Sequence, residues 1–314
     1  MGSRQGMPYQ LQPGEPVSNE LRRCAREQLD HAIDELSARI DEDPVEAVHD
    51  ARKALKKARS LLRLSRGTMA PKQRRQENAA LRGAGRSLSS ARDAEVMLEA
   101  TDELADRFAG RVPHASFEAI RRHLEAQRDP ARRRLLQSGL TAQVATELQA
   151  ASSRIDDWSL RREGWKALEP GLLRTYTRGQ DGLRRARSHP TVENLHDWRK
   201  RTKDLWYDLR LLKPFAPGLV GGAAKEADQL SKLLGDDHDL AVLHEALGRG
   251  AGELKVDVDA VLDLIEHRRE QLQSEAVTIG QRLYAEKPKA FVARLHRYWK
   301  ASGAERPNAL TPGR

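Results

Sequence analysis

The stretch Val48-His49-Asp50-Ala51-Arg52-Lys53-Ala54-Leu55-Lys56 returns 147 positions later as Leu195-His196-Asp197-Trp198-Arg199-Lys200-Arg201-Thr202-Lys203, and the likeness continues from Leu62-Arg63-Leu64 into Leu209-Arg210-Leu211. A second pair repeats at an offset of 146: Leu88-Ser89-Ser90-Ala91-Arg92-Asp93 and Leu234-Gly235-Asp236-Asp237-His238-Asp239. Two matches at nearly one spacing mark an internal duplication. In the first copy, Val48, Ala51, Leu55, Ala58 and Leu62 recur at intervals of three and four, the period of a helix with one buried stripe. Aromatic residues are only 4% of the 314, β-branched runs are scarce, and Ala, Leu, Arg and Glu dominate, a composition of helices rather than strands. The fold class expected is all-α, with two pseudo-symmetric antiparallel four-helix bundles around a central basic cleft.

Punctuation by Pro, Gly and cap residues divides the chain into helices at about 18–40, 45–66, 71–107, 114–137, 165–187, 191–213, 223–247, 257–284 and 288–300. Ser18, Pro44, Pro71, Pro113 and Thr191 start helices; Gly67, Gly110, Gly139 and the stretch 214–222 break them. The first bundle then spans about 18–140 and the second 165–300, joined by a connector over 141–164. Residues 1–16 and 301–314 read as flexible tails.

Charge singles out the same repeated helix. The chain carries 55 Lys and Arg against 46 Asp and Glu, a net charge of +9. His49, Arg52, Lys56, Arg59 and Arg63 follow one another at 3, 4, 3 and 4 residues, so they share one face, beside the apolar stripe and flanked by Lys53. The row is about 21 Å long at 1.5 Å per residue. The second copy gives His196, Arg199, Lys203 and Arg210 in the same phase, with Trp206 in the fourth place and Lys200 alongside. Solvated helix faces mix acids with bases, whereas Arg52–Lys56, Lys56–Arg59 and Arg59–Arg63 are like-charge neighbours costing about 0.2–0.5 kcal/mol each. An anion that relieves this repulsion is the direct explanation. If the duplication brings both rows to one cleft, that anion is a polyanion, gripped by arginine forks and lysine point charges. Arg92 and His238, at equivalent places in the second repeated motif, extend the candidate site, as do Arg86 and Lys232. Asp50 and Asp197 lie in first turns, where they suit the helix dipole and pair with Lys53 and Lys200. His49 and His196, with ordinary pKa values of about 6.5, would tighten anion binding in mildly acidic solution.

These residues resemble the CHAD family, the "conserved histidine alpha-helical domain". His196 to Tyr207 is similar to its second-half signature and Leu234 to Leu240 to the motif that follows, while His49 to Arg63 and Leu88 to Asp93 match the first-half equivalents. The resemblance covers roughly 17–300. It implies two bundles related by a pseudo-twofold, a central basic cavity or pore, and binding of inorganic polyphosphate, with association with polyphosphate granules in several members. It also implies the ligand set His49, Arg52, Lys56, Arg59, Arg63, His196, Arg199, Lys203 and Arg210, then Lys53, Lys200 and Arg92. Trp206 in a row position, and His238 where the first half has Arg92, depart from strict equivalence of the halves.

Nucleic acid is the chief alternative partner, since Arg-rich helices are its footprint too. Single-strand binders add aromatic platforms worth about 1–3 kcal/mol per base. Here only Trp198, Trp206 and Tyr207 lie near a row, and Leu205, Trp206 and Leu209 keep core spacing. A metal-dependent phosphohydrolase using the His49-Asp50, His196-Asp197 and His238-Asp239 dyads is the second alternative, opposed by cations at the i+4 places, Lys53 and Lys200. No phosphate-cradling glycine loop or alternating acidic strand occurs. The Arg121-Arg122 and Arg132-Arg133-Arg134 clusters read as solvated faces. The expectation is a non-enzymatic protein without cofactor or metal. A lone Cys24 excludes an internal disulfide, and the absence of an 18-residue apolar run or signal segment points to a cytoplasmic protein away from membranes.

Overall fold

Capping chemistry sets where the decisive helices begin. In the computed structural model, Asp43 Oδ1 accepts the backbone N–H groups of Val45 (3.1 Å) and Glu46 (3.2 Å), and Pro44 occupies the first helical position, where no N–H is needed. In the second copy Thr191 Oγ1 accepts the Asn194 N–H at 3.2 Å. The structure describes residues 9–304 apart from 89, 138 and 251–257, with side chains left out also at 90–94, 131–137 and 250. In chain order the helices are α1 (Val17–Ser37), α2 (Pro44–Leu64), α3 (Pro71–Ser87), α4 (Ser90–Arg107), α5 (His114–Gln137), α6 (Leu140–Ser153), α7 (Trp165–Ser188), α8 (Val192–Leu212), α9 (Pro217–Gly250), α10 (Asp259–Leu283) and α11 (Pro288–Ala301). Two isolated bridges, Met69–Leu160 and Ala109–Val112, are the only β pairing among the described residues. None of these helices is long and apolar enough to cross a membrane.

Four expectations about the chain's organisation need correction. The connector over 141–164 holds α6, whose Thr141, Val144, Ala145, Leu148 and Ala151 make a buried stripe against α1. The 71–107 segment is two helices, α3 ending at Ser87 and α4 beginning at Ser90. In the second half α9 is a single 34-residue helix, and Pro217 opens it where a break over 214–222 was expected. The leading tail is anchored from Tyr9 onward. Tyr9 and Leu11 are buried, the Leu11 N–H donates to the Leu211 carbonyl (3.0 Å), and the Gln12 N–H donates to Glu20 Oε2 (2.7 Å). Residues 1–8 and 305–314 lie outside the described residues.

Packing does not divide the core by repeat. α1, α2, α3 and α6 pack together, and so do α7, α8, α9 and α10, with α11 on α7. Yet one apolar core runs through α1, α2, α3, α6, α7, α8, the start of α9, the end of α10 and α11, crossing both copies. A second core joins α4 and α5 to the far part of α9 and to α10. At the α2–α8 crossing Ser60 Oγ donates to Asp208 Oδ1 (3.4 Å). Glycines bring α7 onto the end of α2: a Cβ on Gly171 would run into the Leu64 carbonyl, and one on Gly67 would stand 2.6 Å from Pro170.

Candidate anion site

The α2 row projects from the edge of the core, as its phase beside the apolar stripe requires. Arg52 Nη1 donates to the Leu88 carbonyl at 2.8 Å, tying α2 to the end of α3. Arg59 Nε donates to Asn78 Oδ1 at 3.2 Å. Burial and the charges of Arg63, Arg82 and Arg86, partly offset by Asp204, push the Arg59 pKa down to about 10. Arg63 is neutralised: its Nη2 lies 2.6 Å from Asp204 Oδ1 on α8. That ion pair takes one member of the row out of the like-charge repulsion. Lys53 pairs with Asp50 at 3.1 Å within its own helix. Lys56 is exposed and faces the second row, where its charge acts on Lys203. His49 is half-buried.

On α8, Lys203 Nζ lies 3.8 Å from the Trp206 ring centre and 3.9 Å from Asp228 Oδ1. Burial, together with Lys56, Arg199 and Lys232 but against Asp228, pushes its pKa down to about 8. Lys232 is held by the same Asp228 at 3.1 Å. Arg199 Nη1 stands 3.8 Å from Asp239 Oδ1, and its guanidinium packs over Gly235, whose missing side chain makes the room; a Cβ there would come 3.2 Å from Arg199 Nη2. Arg210 lies over Trp206 (5.1 Å) and Tyr9 (5.9 Å). Trp198 and Tyr207 are core residues, and Trp206 is half-buried against that core. Lys200 is exposed, with a pKa lowered by burial and by Arg201 and Arg82, while Asp197 opposes.

The histidines differ from their sequence reading. His196 and His238 stack, ring centres 4.0 Å apart and planes at 26°, and the Nδ1 atoms of both are buried without a hydrogen-bond partner. Burial leads in holding both pKa values at about 4; His238 and then Lys200 and Arg199 add to it for His196, and Arg199, Lys200 and Arg269 for His238. His196 therefore stays neutral in mildly acidic solution and cannot supply the acid tightening expected of it. Arg92, the first-half counterpart of His238, has its side chain outside the described residues.

Two cations escaped the sequence reading. Lys57, one position off the row, has its pKa pushed to about 8 by burial, Arg210 and Lys53. Arg82 on α3 acts on both Arg59 and Lys200, and thus bridges the two copies electrostatically. Its i,i+4 relation to Arg86 was the available signal. The dyad acids are engaged by cations: Asp197 by Arg185 and Arg201, both at 2.8 Å, and Asp50 by Lys53. Among the described residues the one His/acid group close enough to share a metal is His31, Glu35 and Asp50, and there Arg39 already holds Glu35 at 3.0 Å.

The profile of the CHAD domain matches residues 23–248. A search of curated proteins found no match. Among solved structures, PptA from Streptomyces chartreusis superposes with a TM-score of 0.55 at 15% identity, covering 91% of this chain and 100% of that one. The CHAD domain from the plant Ricinus communis superposes with a TM-score of 0.54 at 18% identity, covering 94% and 96% respectively. At such identities the likeness is one of fold. Because the family profile spans well over half of its length, the chain belongs to the CHAD domain family.

Proposed function

We propose that this protein binds inorganic polyphosphate in a basic cleft formed by α2, α3 and α8, and holds it without chemical change. The observation that carries the proposal is mutual repulsion: Arg59, Lys200 and Lys203 are each depressed by burial and by cations from other helices. Partly desolvated like charges raise the free energy of the unliganded protein, and an anion threaded among them recovers that energy. A linear phosphate chain offers regularly spaced oxygens to arginine forks and lysine ammonium groups alike. It needs no stacking platform. Trp206, the aromatic residue of the rows, already has Lys203 and Arg210 against it. That arrangement favours a phosphate chain over single-stranded nucleic acid. The engaged acids Asp50 and Asp197 favour binding over hydrolysis. Localisation in the cytoplasm, at polyphosphate granules, would follow from such binding.

Competition tests the assignment. With labelled polyphosphate bound to the pure protein at fixed salt, unlabelled polyphosphate should displace it at a concentration at least tenfold below that needed for single-stranded DNA, RNA or heparin of equal total charge. Equal displacement by DNA, charge for charge, would refute polyphosphate as the ligand.

A further inference from the structure

A second group of arginines lies beyond the rows. Arg174 and Arg178 stand one turn apart on α7, Arg66 follows the end of α2, and Arg74 is in the first turn of α3. The close packing of Gly171 on Leu64 and of Gly67 on Pro170 brings these three elements together. Arg174 and Arg66 are exposed, and Arg74 and Arg178 half-buried. Among the described residues no carboxylate is within ion-pair distance of any of the four. The nearby acids are taken by others: Asp197 by Arg185 and Arg201, Asp204 by Arg63 and Arg201. After burial, the main influence on Arg74 is Arg66, with Arg75 and Arg174, and on Arg174 it is Arg66 and Arg201. The four crowd one another, and only Arg178 is partly relieved, by Asp197 and Asp204, which other arginines already hold.

The group is continuous with the first site. Buried Asp204 is within electrostatic reach of Arg63, Arg201, Arg178 and Arg59, so one carboxylate joins the α2 row to α7. From Lys56 to Leu64, the end of α2 that Arg66 follows, is about 12 Å. We propose that Arg66, Arg74, Arg174 and Arg178 form a second phosphate-binding patch, so that a polyphosphate chain long enough to reach both places is held more tightly than a short one. This rests on the polyphosphate reading above and adds chain-length selection to it. Once one stretch of the chain is docked at Lys56 and Lys203, the next stretch meets the α7 patch at high effective concentration, and no new molecule needs to be captured.

The test uses the full chain with tripolyphosphate and with a long-chain polyphosphate, across a salt series. R174E/R178E should lower long-chain affinity at least tenfold and make the slope of log K against log salt shallower by about 1.4, two contacts at 0.7 each. Tripolyphosphate affinity should not change. R174Q/R178Q, which keeps polar side chains, should show the same loss in smaller degree, and K287E/K289E, an equal charge reversal at exposed sites at the start of α11, should show none. Long-chain affinity and slope equal to wild type in both Arg174/Arg178 variants would overturn the second patch. If K56E/K203E also binds long chains like wild type, the polyphosphate reading itself has failed; if K56E/K203E loses binding while the Arg174/Arg178 variants do not, only the patch has.

Discussion

Raising the pH from 7 to 9 should weaken polyphosphate binding, and the structure sets by how much. Lys203 and Lys57 both have pKa values of about 8, the first from burial opposed by Asp228, the second from burial beside Arg210 and Lys53. Each is about nine-tenths protonated at pH 7 and about one-tenth at pH 9. A phosphate chain binds the ammonium form, so at pH 9 binding must first take up the missing protons. A lysine returned to its ordinary pKa by the bound anion contributes a loss of about tenfold over this interval, and two contribute about a hundredfold. The internal phosphates of a long chain keep their charge throughout, so the change belongs to the protein. Calorimetry at constant ionic strength would measure it. K203M should retain roughly the tenfold part due to Lys57, and K57M/K203M should be nearly flat. Wild-type affinity that is level from pH 7 to 9, or a double variant as steep as wild type, would refute the reasoning.

On the acid side His196 departs from the expectation drawn from the sequence. With His196 and His238 held at about 4, affinity should not rise through their protonation between pH 7 and 5.5; stability should fall instead, because the unfolded chain takes up protons at about 6.5 that the stacked pair refuses. Thermal denaturation against pH, in wild type and H196N/H238N, checks the sign: the variant should lose the acid dependence. G235A should separate stability from binding. Alanine within α9 favours the helix by about 0.8–1.0 kcal/mol, while its Cβ at 3.2 Å displaces the Arg199 guanidinium, so the melting temperature should hold or rise as polyphosphate affinity drops several-fold.

What the sequence could reveal depended on how local each feature is. The α2 and α8 helices, their caps at Asp43 and Thr191 and their cation rows are written within twenty-odd consecutive residues, and the duplication repeats them. Helix α6 was hidden because Gly139, Ser152-Ser153 and Asp156-Asp157 resemble linker composition, although its apolar stripe is present. The pairing of Arg63 with Asp204 spans the two copies, and no helical period carries that information. For the same reason the depressed histidines are invisible in sequence: they depend on a ring stacked from another helix and on buried Nδ1 atoms without partners. Arg174 and Arg178 drew no notice because their spacing has no counterpart in the other copy. Their significance comes from Arg66 and Arg74, which the glycine contacts of α7 bring near.

The central claim is that cations contributed by both copies act together on one phosphate chain. Its most direct measurement is the affinity of K56E/K203E for long-chain polyphosphate beside each single variant, with helicity monitored by circular dichroism. The account predicts intact helicity, a loss of well over tenfold for each single reversal and a non-additive total for the pair, since both lysines face the same ligand. Wild-type affinity in the double variant would contradict it.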